Sequence, residues 1–365
     1  MMSLIIGIGV VLVLAILYMI FRIGNLMGVA KGSEEDIDED ANGIHGWLFL
    51  AFLVFSLLGF YWYSFAHIKD YELPVASVHG KVTDDLFWLT MAVVVGSFTV
   101  IFVGLFWFTF AYRYSKTRKA QFFADNHKLE LVWTIIPAIV LALLIFGGLE
   151  AWSDITGPAK PDAEVIEAVA HQFGWTLRYP GEKDHELGRQ NYKLIDNNGN
   201  EFGLDLTDKN TFDDFKSLEL HMPVGREVLI KIRAQDVLHS LYLPHFRVKM
   251  DAVPGIVTTF KFVPTKTTAQ MRDELGNPNF NYELACAEIC GQGHFSMRTL
   301  VVVETEEEYN AWKKAQTPWL KANPEYLKRV PAELRDVAQI KAGLELEPSG
   351  TNHASTTPES KSTLN

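Results

Sequence analysis

Residues 286–297 read Cys286-Ala-Glu-Ile-Cys-Gly-Gln-Gly-His-Phe-Ser-Met297, so two thiols, one imidazole and one thioether lie within one short segment. Cys286 and Cys290 are the only 2 cysteines of the 365-residue chain. A framework of several disulfides is therefore excluded. The remaining choices for this pair are a small local disulfide, a metal site or two buried thiols.

The ligand types in this segment favour copper. Thiolate, thioether and imidazole are soft ligands that select copper over calcium or magnesium. A mononuclear blue-copper site needs one cysteine, two histidines and a weak axial methionine, whereas two thiols allow a second metal to be held. His239, in Asp236-Val-Leu-His-Ser240, is the best candidate for the second histidine, because distant loops meet at one end of a β-barrel.

Three alternatives stay open at this point. Zinc accepts two cysteines and two histidines, but methionine is a poor zinc ligand. A Cys286–Cys290 disulfide suits an oxidising compartment, yet it leaves the closeness of His294 and Met297 unexplained, and so do two plain buried thiols. The other histidines of the outer half have no neighbouring cysteine and are interpreted as surface or core residues: His171, His185, His221 and His245.

Around this segment, the second half of the chain has the pattern of an all-β domain. Four runs are rich in β-forming residues and are separated by Pro, Gly and Asn clusters, which predicts a sandwich or barrel. These runs are Glu164–Ala170, Glu227–Ala234, Val257–Val263 and Thr299–Val303. A long polar insertion is predicted over 181–223, with a turn at Asp196-Asn-Asn-Gly199. Thr305 is the expected N-cap of a helix reaching Ala322, because glutamates follow it.

The first 150 residues predict a membrane anchor. Four segments are apolar and long enough to span a bilayer, which takes about 20 helical residues. They are Leu4–Phe21, Gly46–Ala66, Leu86–Tyr112 and Leu131–Leu149. The link between the third and fourth carries the basic residues Arg113, Lys116, Arg118, Lys119 and Lys128. A short basic loop marks the cytoplasmic side, so everything after Glu150 is expected outside.

The first apolar segment is expected to be retained, although Gly28-Val-Ala30 resembles a signal-peptide cleavage site. No Lys or Arg precedes Arg22, and cleavage would place the basic loop outside the cell. With four spans, the acidic stretch Glu34–Asp40 becomes a cytoplasmic linker.

The predicted organisation thus has five parts. They are two N-terminal transmembrane helices and the acidic linker (1–66), a transmembrane hairpin (85–151), the β domain (162–304), a helix with an extension (305–347) and a disordered Ser/Thr-rich tail (348–365). The formal net charge of −11 argues against nucleic acid as a partner. It suits a basic protein partner, or simply solubility.

These motifs together resemble a known family. Asp236–Ser240, Lys249-Met-Asp-Ala-Val-Pro-Gly255 and the Cys286–Met297 segment are similar to the outer cupredoxin domain of cytochrome c oxidase subunit II. Glu130-Leu-Val-Trp-Thr-Ile-Ile-Pro137 resembles the start of that subunit's second helix. The resemblance covers roughly residues 85–320. It implies a helical anchor, with two extra N-terminal helices, followed by an all-β Greek-key barrel.

The resemblance also implies site residues. Cys286 and Cys290 would bridge two copper ions, with His239 and Met297 completing one and His294 and the Glu288 carbonyl completing the other. The Glu288 carboxylate would help hold Mg²⁺ or Mn²⁺ at the interface with subunit I. Glu130 would lie at the cytoplasmic entrance of a proton path.

One departure from the family concerns electron entry. Family members often carry tryptophan where this sequence has Phe173, in His171-Gln-Phe-Gly-Trp175. Phe173 or Trp175 is the candidate for this role, although an aromatic cluster on a strand is more often packing.

The implied function is that of subunit II in a proton-pumping oxidase. It would take electrons from cytochrome c and pass them to haem in subunit I, where O₂ is reduced to water. The implied location is a respiratory membrane, expected to be the bacterial inner membrane, with the copper domain on the periplasmic side and other oxidase subunits as partners. The only cysteines lack the Cys-x-x-Cys-His spacing of covalent haem, so a separate cytochrome c is expected, either soluble or held in a neighbouring complex.

Three rival functions use similar parts. Nitrous oxide reductase holds the same kind of copper pair but would not need the membrane hairpin. A quinol oxidase subunit would typically lack the copper ligands. A membrane-anchored copper carrier or assembly protein would bind one copper at an exposed site and would not need Glu130 or the Glu288 carboxylate.

Overall fold

A computed structural model describes residues 2–30, 39–182, 186–196 and 199–345. Residues 34–38 of the acidic linker, 197–198 of the predicted turn and the tail from 348 lie outside the described residues. The chain divides into two compact units, Met1–Tyr71 with Ala92–Leu131, and Glu72–Met91 with Val132–Asn365.

Four long helices form the membrane-spanning part. They are α1 (Met2–Ala30), α2 (Glu39–Tyr71), α3 (Val78–Ala111) and α4 (His127–Thr156). Each contains a window long and apolar enough to cross a membrane. The four predicted apolar segments are therefore confirmed as helices long and apolar enough to span a membrane.

In the first unit, α2 packs along α3 through aromatic side chains. Trp47 lies against Phe110 with ring centroids 4.8 Å apart, and the Phe52 ring lies 5.3 Å from the Phe106 ring. The Tyr61 and Thr99 hydroxyls are 2.6 Å apart. A helix outside the predicted hairpin is thus joined to α3 by aromatic packing and by one side-chain hydrogen bond between the helices.

The second unit contains a two-sheet β domain. Its strands are β1 (Glu164–His171), β2 (Gly174–Tyr179), β3 (Phe215–Ser217), β4 (Leu220–Pro223), β5 (Val228–Ala234), β6 (His239–Leu243), β7 (Val248–Ala252), β8 (Thr258–Phe262), β9 (Tyr282–Cys286) and β10 (Arg298–Glu304). One sheet has the order β3-β2-β1-β5-β8 and the other β4-β10-β9-β6-β7. Apolar residues of both sheets form one core. The predicted helical anchor followed by an all-β cupredoxin-like domain is confirmed.

The four β-rich runs of the sequence correspond to β1, β5, β8 and β10. The other six strands were not among these runs, and two of them, β3 and β4, lie inside the segment predicted as a polar insertion. β4 pairs in parallel with β10, and all four of its residues are buried. Its sequence, Leu-His-Met-Pro, lacks the length and alternation that mark a strand.

Buried charges hold the start of the insertion against the sheet. Arg178 donates to Glu167 at 2.6 Å and to Asp214 at 2.6 Å, and all three are almost fully buried. Arg178 also donates to the Gly188 carbonyl at 2.9 Å. Arg233 of β5 pairs with Glu167 as well. Because each buried charge has a partner, removing one would leave an uncompensated charge in the interior.

Thr305 caps the helix after β10, as predicted. Its hydroxyl accepts from the Glu308 N–H and the Glu308 carboxylate accepts from the Thr305 N–H, which is a capping box. The predicted extent to Ala322 is wrong. Helix α6 (Glu306–Lys314) ends before Pro318, and a separate short helix α7 (Trp319–Ala322) follows. Proline restricts the residue before it to extended conformations, which stops the first helix.

Two further helices in the second unit are α5 (Thr268–Leu275) and α8 (Arg335–Ala342).

The extension after residue 305, which contains α8, packs on the insertion predicted over 181–223. A second apolar core joins Phe202, Leu204 and Phe212 of the insertion to Trp319 and Ala338 of the extension.

Candidate metal centre

Two strands and the loop after them bring the predicted ligands together. β6 begins at His239 and β9 ends at Cys286, and the two strands pair with Leu241 opposite Cys286. The Cys286 N–H donates to the Met297 carbonyl at 3.1 Å, which closes the loop between β9 and β10. The Ala287 N–H donates to the Ser240 carbonyl at 2.9 Å. Backbone pairing therefore places ligands 47 residues apart beside each other.

The donor atoms form a compact group. The two thiol sulfurs lie 4.0 Å apart. The His239 Nδ1 lies 3.8 Å from the Cys286 sulfur, and the His294 Nδ1 lies 3.6 Å from the Cys290 sulfur. The Met297 thioether is 3.8 Å from the Cys290 sulfur. The Glu288 carbonyl oxygen is 3.2 Å from the Cys286 sulfur. All the ligands predicted from sequence thus converge on one place.

The group is largely shielded from solvent. His239 is fully buried, Met297 is 1 % exposed and Cys290 is 5 % exposed. Burial, and next the neighbouring Cys286 thiol, raises the pKa of Cys290 to about 11. Binding a metal through the Cys290 thiolate must therefore release a proton.

Two side chains outside the ligand set hold the ligands in place. Asp236 accepts from the His239 Nε2–H at 2.8 Å and from the Gln172 N–H at 2.7 Å. The Gln172 side-chain amide donates to the Cys290 carbonyl at 2.6 Å. Although partial burial raises the pKa of Asp236, hydrogen bonds from His239, Gln172 and Val237 outweigh burial and lower it. This carboxylate fixes His239 with Nδ1 facing the sulfurs, a common arrangement behind metal-binding histidines.

Comparison with known proteins gives the family. The family model that describes the periplasmic domain of cytochrome c oxidase subunit II matches residues 164–305 of the sequence. The family model for the transmembrane domain of that subunit matches residues 73–150. The alternative cytochrome c oxidase subunit 2 of Bradyrhizobium diazoefficiens is 34% identical over 249 residues, covering 67% of this chain and 83% of the relative. The chain belongs to the cytochrome c oxidase subunit II family.

Two further relatives agree. Cytochrome c oxidase subunit 2 of Thermostichus vulcanus is 29% identical over 331 residues, which covers 81% of this chain and 94% of the relative. The protein of the same name from Synechocystis is 27% identical over 266 residues, covering 67% of this chain and 76% of the relative. This subunit II is therefore part of an oxidase complex in a membrane. Its β domain is the one that matches the periplasmic domain of the family.

The residues of this subunit II fit the copper that the family implies. The donor set is two thiols, two imidazoles, one thioether and one carbonyl. The ligand atoms of His239, Cys286 and Cys290 all lie within 4.8 Å of one another, close enough to hold a metal ion. Hard cations such as Ca²⁺ would need oxygen ligands in the place of these sulfurs.

Phe173 lies directly over the ligand loop. A Cβ built on Gly291 or Gly293 would come within 2.8 Å or 2.5 Å of the Phe173 ring, so both positions require glycine for this close approach. The ring remains 41% exposed. Phe173 is therefore an exposed aromatic group in contact with the loop that carries the ligands.

Trp175 lies beneath the surface. It is 4% exposed, and its ring centroid is 6.4 Å from that of His239. Strand β2 turns the Trp175 side chain into the core, so Trp175 is not exposed beside Phe173. A partner protein can touch Phe173 but not Trp175.

Glu130 lies in the first turn of α4 and already has local partners. Its carboxylate accepts from the Asn126 N–H at 3.4 Å and lies 3.1 Å from the His127 Nδ1. The side chain is 43% exposed. These bonds give Glu130 an ordinary role at the helix start, where a negative charge is favourable.

Gln172 and Asp236 were not predicted from the sequence as supporting residues. Asp236 lay within the quoted 236–240 stretch, three residues before a ligand, which is a spacing that could have indicated it. Gln172 carried no such signal, because its contact with Cys290 spans 118 residues.

Proposed function

We propose that this chain is the electron-entry subunit of a proton-pumping cytochrome c oxidase, holding two coppers in one centre. It takes single electrons from a separate cytochrome c and passes them to haem in subunit I for the reduction of O₂. The observation that carries this proposal is the pair of sulfurs 4.0 Å apart with one imidazole nitrogen beside each. A single copper of the blue type would use one thiolate, both imidazoles and the thioether, and would leave the second thiol without a role.

The copper pair, when bound, supplies a carrier that takes up and releases one electron. Cys286 and Cys290 would each contact both ions. His239 and Met297 would complete one ion, and His294 and the Glu288 carbonyl the other. The buried setting of His239, Cys290 and Met297 excludes water from the ligands. The burial also opposes a copper carrier, which would need an exposed site to exchange its metal.

Three finer assignments complete the proposal. The Glu288 carboxylate would contribute to a Mg²⁺ or Mn²⁺ site shared with subunit I. The Glu130 carboxylate would receive protons at the cytoplasmic side, given the basic loop before α4. The membrane would be a bacterial inner membrane, with the copper domain in the periplasm and other oxidase subunits around the anchor.

The order of electron transfer tests the proposal. When the intact oxidase is mixed rapidly with reduced cytochrome c, the optical signal of the copper centre should change before that of the haem. Reduction of haem first, or at a rate independent of the copper centre, would contradict electron entry through this chain.

We expect Met297→Leu to retain two coppers with a changed reduction potential. Leucine has a similar volume, so the buried position is kept at a cost below about 1.5 kcal/mol, while the weak thioether ligand that tunes the potential is lost. Copper analysis and a potentiometric titration measure the two effects. Met222→Leu, which changes a fully buried methionine of β4 that is not among the ligands, is the control and should leave the potential unchanged. Loss of one copper, or an unchanged potential in Met297→Leu, would contradict the ligand assignment.

The donor should dock on an apolar surface around the ligand loop. Five exposed side chains define this loop surface: Phe173, Val237, Leu238, Ile289 and Phe295. Phe295 is 82% exposed and Ile289 is 84% exposed. Asp236, a carboxylate beside them, already accepts three hydrogen bonds, and the carboxylate of Glu288 in the same loop is assigned above to the interface with subunit I. Apolar contact, rather than paired charges, is therefore the expected basis of docking.

We expect Phe295→Ala to lower the second-order rate of reduction by cytochrome c about tenfold, as for an aromatic residue at the centre of an interface. The loss should persist at high salt, because salt screens exposed charges but not apolar contact. Stopped-flow reduction across a salt series measures both. Ile340→Ala, which changes an exposed apolar residue of α8, is the control. A wild-type rate in Phe295→Ala, together with a steep fall with salt, would show that carboxylates steer the donor instead.

A further inference from the structure

The turn between β6 and β7 contains a residue in an unusual backbone conformation. Arg247 has φ = 54°, in the left-handed region, and it is the one non-glycine residue with positive φ in the described part of the chain. Residues with a Cβ are disfavoured in this region, and they adopt it only where contacts with the surrounding structure hold them there. The contacts of the Arg247 side chain supply that reason.

Arg247 joins the turn to the chain that enters α3. Its Nε and Nη2 donate to the two oxygens of Asp84, at 2.7 Å and 3.0 Å. Nη2 also donates to the Leu73 carbonyl at 2.7 Å, and Nη1 donates to the Pro244 carbonyl at 2.8 Å. Arg247 is 19% exposed and Asp84 is 32% exposed. A planar guanidinium fits such a two-point carboxylate contact, and a lysine ammonium does not.

Backbone bonds run beside this ion pair. The Ala76 N–H donates to the His245 carbonyl at 2.7 Å, and the Ser77 hydroxyl donates to the Phe246 carbonyl at 2.7 Å. A Cβ on Gly80 would lie 2.6 Å from the Ser77 hydroxyl and 3.2 Å from Arg247 Cγ. The chain preceding α3 is thus held closely against the turn.

The same two strands carry a metal ligand at their other end. β6 runs from His239 to Leu243, and β7 pairs with it so that Ala252 lies opposite His239 and Val248 opposite Leu243. The turn with Arg247 connects Leu243 to Val248. Four steps of antiparallel strand span about 14 Å. A short, fully paired hairpin therefore links the start of α3 to the ligand His239.

We propose that Arg247 is a positioning residue, which with Asp84 holds the metal centre at a fixed height above the outer end of α3. The inference rests on the proposed function, because its consequence is a constant gap between the copper pair and the haem of subunit I. The rate of electron transfer falls steeply with distance. A loosened turn would slow the internal transfer while leaving the ligands, and the surface that meets the donor, unchanged.

The test is made on the intact oxidase with Arg247→Lys, Asp84→Asn and the exchanged pair Arg247→Asp with Asp84→Arg. We expect Arg247→Lys and Asp84→Asn to keep the copper content, the copper potential and the donor reaction. Transfer from copper to haem should slow about tenfold, as a small displacement far from the reacting groups can cause. The exchanged pair should restore most of the rate, because Asp tolerates the left-handed conformation. Lys216→Ala, which breaks an ion pair with Glu201 elsewhere in the domain, is the control.

Two results would overturn the proposal. One is an unchanged internal rate in both single variants. The other is loss of copper in both single variants, because the pair would then act in folding. Failure of the proposed function would look different, since the wild-type copper centre would then not be reduced before haem.

Discussion

Replacing Cys286 with serine should remove the copper pair completely, and donor-driven turnover of the oxidase with it. A serine hydroxyl stays protonated at neutral pH and is not a soft ligand, so only Cys290 could bridge two ions. The Cys286 sulfur also lies beside both His239 Nδ1 and the Glu288 carbonyl oxygen. Copper analysis of the purified variant, with its visible spectrum, measures the loss.

The fold should survive this change, because the Cys286 N–H bond to the Met297 carbonyl is made by the backbone. Ser296→Ala is the matched control in the same loop. It removes a hydroxyl that donates to the Gly293 carbonyl at 2.9 Å, and it should keep both coppers. A Cys286→Ser protein that retained the spectrum of the native centre would exclude Cys286 as a bridging ligand.

Glu130→Gln should slow the proton-coupled reduction of the oxygen-binding centre about 10²-fold, in the range lost when a positioned proton-transfer group is removed. The copper centre should be unaffected. Glutamine keeps a carbonyl oxygen to accept from the Asn126 N–H, so the start of α4 is preserved. Time-resolved reduction of the centre, together with donor-driven reduction of copper, separates the two steps.

Glu150→Gln is the control for Glu130→Gln, because it changes a carboxylate near the opposite end of the same helix. Wild-type turnover with normal reduction kinetics in Glu130→Gln would limit Glu130 to helix capping. Slower reduction of the copper centre itself would also contradict the proton role.

The architecture was largely predictable because each part carries a strong local signal. Apolar runs of membrane length predict α1 to α4, and β-branched runs between turn residues predict β1, β5, β8 and β10. β3 and β4 are too short for such a signal and depend on pairing with distant strands. The early end of α6 is a different case, because the sequence does contain a signal for it in Pro318. The prediction of a helix reaching Ala322 did not take that proline into account.

The metal ligands were predictable because most of them lie close together in the sequence. The residues that hold the metal centre in place were not predictable. Five of the six ligands lie within residues 286–297, and His239 lies in a second recognisable stretch. Gln172 contacts Cys290, which is 118 positions away, and Arg247 contacts Asp84, which is 163 positions away. Neither glutamine nor arginine indicates such a role by residue type alone. The burial of Trp175 likewise depends on which way strand β2 faces, which an aromatic-rich stretch does not determine.

The most direct test of a two-copper centre is the metal content of the full-length chain, purified in detergent and reconstituted with copper. We expect two coppers per chain and a purple oxidised form in which the two ions share one unpaired electron, seen by electron paramagnetic resonance. One copper per chain, or zinc that copper does not displace, would contradict it.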